Sequence, residues 1–364
     1  MAGGAKPRRL AVERDLLETP LGLRLRERLP LDSVRDRIGP ADYRDFQAGD
    51  LVLARHCGNF IKPCPGTRGY NCCGLEIIHF GLGCYLDCSY CVLQCYLDSP
   101  ALVLFGNVEQ GLAELDGLID GEGPRPRRFC TGEFTDSLLL EDMTGLGKRL
   151  VEMFSRAKSA VLELKTKTVN IEGLLGLDHG GRTIISFSVN APEISRLEES
   201  RTPPLKRRLE AAARAVENGY RLAFHFDPMI RHVGWRDGYR RAVDDIFAAV
   251  PADQIAWISM GVFRYPPGLK SIVRRRHPWS RIMDDEFILA EDGKMRLPRP
   301  LRVEMYSFMR EAVQAADPGA CLYMCMESPR VWREVFGFDP GPDGLVDLLD
   351  ARVAPRRPGL VGPG

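Results

Sequence analysis

Six short apolar runs that alternate with amphipathic segments constrain the fold of this chain more than any other feature of its sequence. The apolar runs lie at residues 75–81, 127–133, 160–168, 183–190, 221–228 and 255–263. The segments with helical periodicity lie at residues 108–119, 141–158, 205–218 and 239–250. Strands that alternate with helices in this way indicate a parallel sheet with right-handed crossovers. The sequence therefore predicts an α/β fold.

A cysteine motif, GCYLDCSYC, follows the first apolar run and places Cys84, Cys88 and Cys91 at the spacing CxxxCxxC. A 4Fe-4S cluster normally has four cysteine ligands, so three thiolates would leave one iron open to a small molecule. The alternatives are ordinary buried cysteines or a zinc site. A cysteine loop after the first strand favours a curved partial barrel over a flat sheet. In such a fold the chemistry lies at the C-terminal ends of the strands.

Three regions are expected along the 364 residues. Residues 1–74 form an N-terminal extension with a cysteine-rich loop. Residues 75–338 form a partial (β/α)6 barrel, closed by a C-terminal strand and helix. Residues 339–364 are rich in proline and glycine and are expected to form a mobile tail.

A second group of cysteines, Cys57, Cys64, Cys72 and Cys73, lies among glycines and prolines before the barrel. Thiolates in such an irregular loop can converge on an auxiliary iron-sulfur cluster or a zinc ion. The alternative is that these cysteines only pack beneath the main cluster. The adjacent pair Cys72 and Cys73 argues against a simple four-ligand site, because neighbouring side chains on an extended chain face opposite ways.

The charge balance limits the partners of the chain. Its 50 basic and 49 acidic residues leave a net charge of +1, so only a local patch could attract nucleic acid. The candidate basic patches are residues 206–208 and 274–277. The sequence has neither the apolar core of a signal peptide nor an apolar run of about 18 residues, so we expect no membrane contact and a cytoplasmic protein. Eleven cysteines in a reducing compartment indicate metal or redox chemistry.

From about residue 50 to 338 the chain resembles the spore photoproduct lyase family of radical SAM enzymes. The segments that carry the resemblance are GLGCYLDCSYCVLQ, LELKTKT, SFSVN, HFDPMI, GWRDGY, GVFRYPPGLK and CMESPRVW. The resemblance implies that S-adenosylmethionine binds the open iron and is cleaved reductively to a 5′-deoxyadenosyl radical. That radical abstracts a hydrogen from a thymine photoproduct in DNA. An external electron donor such as flavodoxin or ferredoxin is also implied.

The resemblance also assigns cofactor-binding roles. Thr135 and Asp136 would bind the methionyl amino group of S-adenosylmethionine. Lys165 and Ser186 would bind its carboxylate and its ribose. All four residues lie at or near the ends of predicted strands.

Two positions depart from the family pattern. The hydrogen-donating cysteine of the family matches Glu133, and the tyrosine after the last cluster cysteine matches Val92, whereas Tyr90 is retained. A carboxylate has no weak X–H bond to give to a carbon radical, so we expect poor repair of the photoproduct or none. Glu133 would instead act in acid-base chemistry, with a pKa raised by burial. The candidate replacement donors are Cys95, Cys130 and Cys325.

Two other functions are compatible with the sequence. One is a radical SAM enzyme that acts on a small molecule, an RNA or a peptide with help from an auxiliary cluster. The other is a non-catalytic iron-sulfur protein that senses redox state.

Overall fold

Strands and helices alternate along most of the chain in the computed structural model, which describes residues 6–67, 69–121 and 125–353. The strands are β1 (Arg9–Glu13), β2 (Leu31–Arg35), β3 (Asp50–Ala54), β4 (Ile61–Pro63), β5 (Glu76–Ile78), β6 (Gly81–Leu82), β7 (Leu102–Phe105), β8 (Arg127–Thr131), β9 (Ala160–Thr166), β10 (Thr183–Ser188), β11 (Arg221–Met229), β12 (Ile255–Val262), β13 (Arg264–Tyr265), β14 (Ile288–Leu289), β15 (Met295–Arg296) and β16 (Leu322–Met324). The helices are α1 (Pro20–Arg26), α2 (Leu93–Tyr96), α3 (Val108–Ile119), α4 (Glu141–Thr144), α5 (Leu146–Phe154), α6 (Pro192–Glu198), α7 (Leu205–Glu217), α8 (Trp235–Ala249), α9 (Leu269–Arg276), α10 (Arg299–Ala316), α11 (Pro329–Phe336) and α12 (Gly341–Val353). Within the described residues, no helix combines the length and the apolar character that crossing a membrane requires.

An eight-stranded sheet positions the rest of the molecule. Its strand order is β16-β12-β11-β10-β9-β8-β5-β4. All neighbours from β5 to β16 pair in parallel, and β4 pairs antiparallel at the edge. The six predicted runs are β5 and β8 to β12, in the predicted order. The predicted α/β partial barrel is therefore confirmed.

Burial on both faces explains why the central strands are apolar without alternation. Every residue of β10 and of β12 is buried. Parallel strands are covered by helices on one face and by the barrel interior on the other, so both faces select apolar residues. The helices that cover the sheet are amphipathic. In α3, for example, the buried residues are Val108, Gly111, Leu112, Leu115 and Ile119.

A second sheet joins the N-terminal region to the segment that follows the cysteine motif. Its order is β2-β1-β3-β7-β6. β3 pairs in parallel with β7, with Leu51 opposite Leu102. Residues before position 75 therefore share a sheet with residues 102–105, and the expected boundary at residue 74 does not separate two layers.

The C-terminal region is more ordered than its composition suggested. Residues 341–353 form α12, in which Leu345 and Leu349 are buried. Arg128 on β8 donates to Asp350 at 2.8 Å, and both side chains are buried. The expectation of a mobile tail from residue 339 is therefore wrong for this helix, because its apolar face packs on the barrel. Residues 354–364 lie outside the described residues.

Candidate active site

The cluster loop, residues 84–91, follows β6 at the C-terminal edge of the barrel. The chain enters this loop through Gly83, where the backbone has little room. Gly83 has a φ of +92°, and a Cβ atom there would lie 3.0 Å from the carbonyl oxygen of Ala101. Asp87 also adopts a left-handed conformation, with a φ of +52°, which is uncommon outside glycine. Burial raises the pKa of the thiols of Cys84 and Cys88, and the neighbouring cysteines add to this effect. The three thiols of the loop are therefore close to one another.

Helix α9 fastens the cluster loop from outside. Arg276 donates to the Asp87 carboxylate at 2.7 Å and also to the side-chain oxygen of Gln94. The Gln94 amide nitrogen in turn donates to the carbonyl oxygen of Ser89 at 2.9 Å. The basic run at residues 274–277 was predicted to contact phosphate. Arg276 instead binds the loop and His277 is buried, whereas Arg274 and Arg275 are exposed and remain candidates for such a role.

A buried ion pair supports the loop from inside. The Tyr90 phenol donates to Glu199, and Arg208 pairs with the same carboxylate while Lys167 lies over the Tyr90 ring. Burial would raise the pKa of Glu199, but Arg208 and Lys167 lower it to about 2. Arg208 is fully buried, so the other predicted basic patch, residues 206–208, loses its last residue. Sequence analysis missed Glu199, because nothing in the local pattern shows that it faces a buried arginine.

A cavity of about 430 Å³ opens beside the cluster loop at the C-terminal ends of the barrel strands. Its lining from the loop and β8 includes Tyr90, Cys91, Val92, Cys130, Gly132, Glu133 and Phe134. Its lining from the other strands includes Lys165, His225, Asp227, Ser259, Arg264, Tyr323 and Cys325. Cavities of this size bind small molecules in many enzymes. The predicted site residues Glu133, Tyr90 and Lys165 thus share one cavity.

Glu133 lies on the cavity wall, where burial raises the pKa of its carboxyl and Lys62 opposes that shift. Three residues before it, Cys130 is buried and lines the same cavity. Burial raises the pKa of the Cys130 thiol to about 12, with Glu133 among the smaller causes. Cys130 therefore keeps its S–H bond at neutral pH. Cys95, on α2, is not among the cavity residues.

A buried polar network lies beneath the cavity. Glu163 Oε1 accepts a hydrogen bond from the Ser186 hydroxyl at 2.6 Å and lies 2.6 Å from His225 Nε2. Burial and the nearby Lys165 lower the pKa of His225, which is therefore neutral. Ser186 is fully buried and does not line the cavity. Sequence analysis did not single out Glu163, whose role depends on partners that lie on two other strands.

Thr135 and Asp136 are not among the residues that line the main cavity. They line a smaller cavity of about 60 Å³ between β6 and α5. The Asp136 carboxylate accepts hydrogen bonds from the backbone nitrogen of Lys167 and from the Thr166 hydroxyl, both at 2.7 Å. Asp136 is also close enough to Cys84 to raise the pKa of its thiol. Both residues therefore lie beside the cluster loop.

Four cysteines form a second group, here called the thiol chain: Cys64, Cys72, Cys73 and Cys325. Proximity links each of them to the next, in that order, since each neighbouring pair of thiols shifts the pKa of its members. Cys57, which was predicted to belong to this group, is exposed and is not part of these links in the described structure. Cys325 takes part instead, because the strand order brings the end of β16 next to the cysteine-rich loop.

Backbone pairing holds the two halves of the thiol chain together. Asn71 N donates to the carbonyl oxygen of Glu327 at 3.1 Å. Glu327 is fully buried and pairs with Arg302 at 3.1 Å. The position of Cys325 beside Cys73 is therefore supported by this backbone pairing and by the buried ion pair of Glu327.

The cysteine side chains of the described residues do not form a three-ligand site for a single metal ion. Within residues 6–67, 69–121 and 125–353, no three His, Cys, Asp or Glu side chains converge closely enough to hold a single ion. This includes the three thiols of the cluster loop. A 4Fe-4S cluster spans several metal atoms and reaches ligands that stand farther apart than those of one ion. Three neighbouring thiols on one short loop therefore suit a cluster better than a zinc ion.

Comparison with known proteins gives a consistent result. A model of the spore photoproduct lyase family matches residues 74–297. The spore photoproduct lyase of Bacillus subtilis (strain 168) is 28% identical over 272 residues, which cover 73% of this chain and 78% of that protein. The spore photoproduct lyase of Geobacillus sp. (strain Y412MC61) is 26% identical over 274 residues, covering 74% of this chain and 78% of that protein.

Solved structures match over a longer range. A spore photoproduct lyase complexed with dinucleoside spore photoproduct superposes with a TM-score of 0.76 and 22% identity, covering 88% of this chain and 99% of that chain. A mutant of that enzyme with bound AdoMet and dinucleoside spore photoproduct gives a TM-score of 0.76 and 22% identity, with 87% and 98% coverage. At these identities the structural matches establish the fold.

Proposed function

Because the chain belongs to the spore photoproduct lyase family, whose members are radical SAM enzymes, we propose that it splits a thymine photoproduct in DNA. The family implies a 4Fe-4S cluster held by Cys84, Cys88 and Cys91, and S-adenosylmethionine as the second cofactor. When bound, the cluster supplies the electron that cleaves S-adenosylmethionine to a 5′-deoxyadenosyl radical. The relatives are photoproduct lyases, so a redox sensor or an unrelated substrate is not favoured.

One observation carries this proposal. The cavity of about 430 Å³ receives Tyr90 and Cys91 from the cluster loop on one side and Cys130 and Glu133 from β8 on the other. A radical that forms at the loop and an X–H bond that can quench a substrate radical therefore face the same space. Closeness of this kind is what permits a reactive intermediate to pass between groups without escaping to water.

We assign the hydrogen donor to Cys130. Its pKa is raised to about 12, so the S–H bond is intact at neutral pH. In the reaction, the product radical takes the hydrogen atom of this thiol, forms a C–H bond and leaves a thiyl radical on Cys130. That radical regains a hydrogen atom from 5′-deoxyadenosine by way of Tyr90. A donor three residues from Glu133 would explain how the family reaction proceeds without a cysteine at position 133.

The residues expected to bind S-adenosylmethionine differ in how well their positions fit that role. Asp136 lies close to Cys84, as a group that binds the methionyl amino group requires. Lys165 lines the main cavity. Ser186 donates to Glu163 beneath that cavity, so we propose that it orients Glu163 and does not touch the ribose.

We propose that the thiol chain holds an auxiliary metal centre, either an iron-sulfur cluster or zinc. The support is the proximity of four thiols, three of them on partly exposed residues, in a protein whose cysteines are all free. Cys57 is replaced by Cys325 in this ligand set. Metal binding would draw the thiols from a chain into a compact group.

The remaining partners follow from the exposed charges. Arg201 and Arg276 pair with Asp87 of the cluster loop, Arg274 and Arg275 precede Arg276 on α9, and all four are exposed. We propose that this cationic face binds an acidic electron donor such as flavodoxin or ferredoxin, and that flanking DNA contacts the same face. Eleven free cysteines fit a reducing, cytoplasmic location.

The test is an anaerobic assay with a dinucleotide spore photoproduct, a reductant and S-adenosylmethionine. We expect the wild-type protein to form thymidylyl-thymidine and 5′-deoxyadenosine, and Cys91→Ala to form neither. Cys130→Ser should cleave S-adenosylmethionine but release little thymidylyl-thymidine, whereas Cys95→Ser should match the wild type. Normal repair by Cys130→Ser would exclude Cys130 as the donor, and 5′-deoxyadenosine without any repair by the wild type would exclude the photoproduct.

A further inference from the structure

Arg264 is a buried cation whose hydrogen-bonding capacity is largely unused. It lies on β13, its side chain is 9% exposed, and it lines the main cavity. An arginine guanidinium carries five N–H donors. In the described structure the guanidinium makes one polar contact, from Nη1 to Asp227 Oδ1 at 3.5 Å, which is at the outer limit for a hydrogen bond. A guanidinium in this state faces the cavity with its donors available.

A second cation stands on the same wall. Lys294 precedes β15, which pairs antiparallel with β13 so that Arg264 lies opposite Arg296. The Lys294 ammonium also lines the cavity, 3.9 Å from Asp292 and 3.4 Å from the Thr67 hydroxyl. Arg264 and Lys294 are close enough to interact electrostatically. Two like charges facing one cavity repel each other, and an anion between them would relieve that repulsion.

We propose that Arg264 and Lys294 form an anion subsite that binds the phosphodiester joining the two nucleotides of the photoproduct. The planar fork of arginine matches two phosphate oxygens, and lysine adds a point charge. This inference rests on the proposed function, because it places the lesion in the main cavity. It adds that the enzyme recognises the backbone link inside the lesion as well as its joined bases.

The carboxylate of S-adenosylmethionine is a poor alternative occupant. That carboxylate coordinates the cluster in this family and so must stand beside the cluster loop. The cations that act on the loop thiols are Lys167, Arg208 and Arg276. Arg264 instead interacts with Asp227 and Cys325, at the end of the barrel formed by β11, β12 and β16. The subsite therefore lies at the β11, β12 and β16 end of the barrel, next to Cys325.

The test compares the binding of two ligands that differ in one group: the dinucleotide photoproduct, which has the phosphodiester, and the dinucleoside photoproduct, which lacks it. Equilibrium dialysis without reductant measures affinity independently of turnover. We expect the wild type to bind the dinucleotide about 10- to 100-fold more tightly. In Arg264→Met the ratio of the two dissociation constants should fall to about 1. The affinity for the dinucleoside should not change, because only the charged contact is removed. Lys294→Met, on a more exposed hairpin, should reduce the ratio in part.

Arg241→Met is the matched control, since Arg241 carries the same charge on the outer helix α8 and pairs with Glu193. Its ratio should equal that of the wild type. If the affinity ratio is unchanged in both Arg264→Met and Lys294→Met, the subsite is overturned. It is also overturned if the variants lose S-adenosylmethionine binding or bound metal while the affinity ratio is preserved. If the wild type binds neither photoproduct, undamaged thymidylyl-thymidine and its phosphate-free analogue replace them. A phosphate preference that Arg264→Met abolishes would then support the subsite while rejecting the photoproduct as substrate.

Discussion

Glu133 affects the pKa of the neighbouring Cys130 thiol, although it does not itself supply the X–H bond of the proposed reaction. Its carboxyl lines the main cavity, and its charge helps to raise the pKa of the Cys130 thiol. Burial also raises the pKa of Glu133 itself, so this carboxyl can exchange a proton closer to neutral pH than a solvated one. At the residue scale, we infer that Glu133 adds to the effect of burial in keeping Cys130 protonated and orients the group that approaches it.

Glu133→Gln should lower the rate of photoproduct repair by about tenfold or more, because a general acid-base group is lost. The iron and sulfide content should stay at the wild-type level, since Glu133 is not a cluster ligand. The measurement is the initial rate of thymidylyl-thymidine release beside a metal analysis. Glu152→Gln, at an exposed position of α5, is the matched control. An unchanged rate would show that Glu133 takes no part in turnover.

The raised pKa of Glu133 also predicts a pH dependence of the free energy of unfolding. A carboxyl with a raised pKa in the folded state stabilises the fold below its unfolded pKa, and that contribution is lost as the pH rises through the folded pKa. Glu133→Gln cannot ionise, so its stability relative to the wild type should increase between about pH 4 and pH 7. Urea unfolding at several pH values measures this. A difference that stays constant over this range would contradict the burial of the charged form.

At the element scale, helix α9 and the cluster loop depend on each other. Arg276 at the end of α9 binds both Asp87 and Gln94, and Asp87 has a left-handed backbone that needs support. The loop is therefore held in place before any cluster binds, which lowers the ordering cost of cluster assembly.

Arg276→Met should loosen the cluster loop in the metal-free protein, because both contacts from α9 are lost. We expect the cysteines at 84, 88 and 91 to be alkylated by iodoacetamide about two- to tenfold faster than in the wild type. Peptide mass spectrometry over time gives the rates for each cysteine. Arg274→Met removes the same charge from the same helix and should leave the rates unchanged. Equal alkylation rates in both variants would show that the contacts of Arg276 with Asp87 and Gln94 have no effect on the loop.

The thiol chain leads to a separate prediction. A triple variant with alanine at Cys84, Cys88 and Cys91 should lose all S-adenosylmethionine cleavage but retain iron or zinc at the thiol chain. Metal analysis after anaerobic reconstitution measures this, and adding Cys73→Ser to the triple variant should release the remaining metal, whereas adding Cys57→Ser should not. If the triple variant is free of metal, the cysteines of the thiol chain serve only in packing and do not bind metal.

Features that depend on local sequence pattern could be predicted, whereas features that depend on contacts between distant residues could not. Helix α3 has the predicted bounds, residues 108–119, because apolar periodicity is a local property. The roles of Arg208 and Arg276 were not predictable, since basic runs usually lie on solvated surfaces and only the fold reveals the buried Glu199 and the loop that these arginines bind. Cys325 joins Cys73 from a distant part of the chain, and no local signal encodes that pairing.

At the scale of the whole molecule, one side chain joins the barrel sheet, the cysteine-rich loop and α12. Arg128 lies on β8, donates to the carbonyl oxygen of Cys73 and pairs with Asp350 on α12. Elements from both ends of the chain thus close the outside of the barrel, while its C-terminal edge remains open to substrate. This arrangement fits an enzyme that admits a lesion at one end and keeps its radical chemistry away from solvent.

The central claim is that a 5′-deoxyadenosyl radical made in this protein takes a hydrogen atom directly from a thymine photoproduct in the cavity. The measurement that tests it most directly uses a dinucleotide photoproduct prepared from fully deuterated thymine, with mass analysis of the 5′-deoxyadenosine formed anaerobically. We predict that 5′-deoxyadenosine carries deuterium and that its formation is accompanied by thymidylyl-thymidine. Unlabelled 5′-deoxyadenosine, formed at the same rate with and without the photoproduct, would contradict the account.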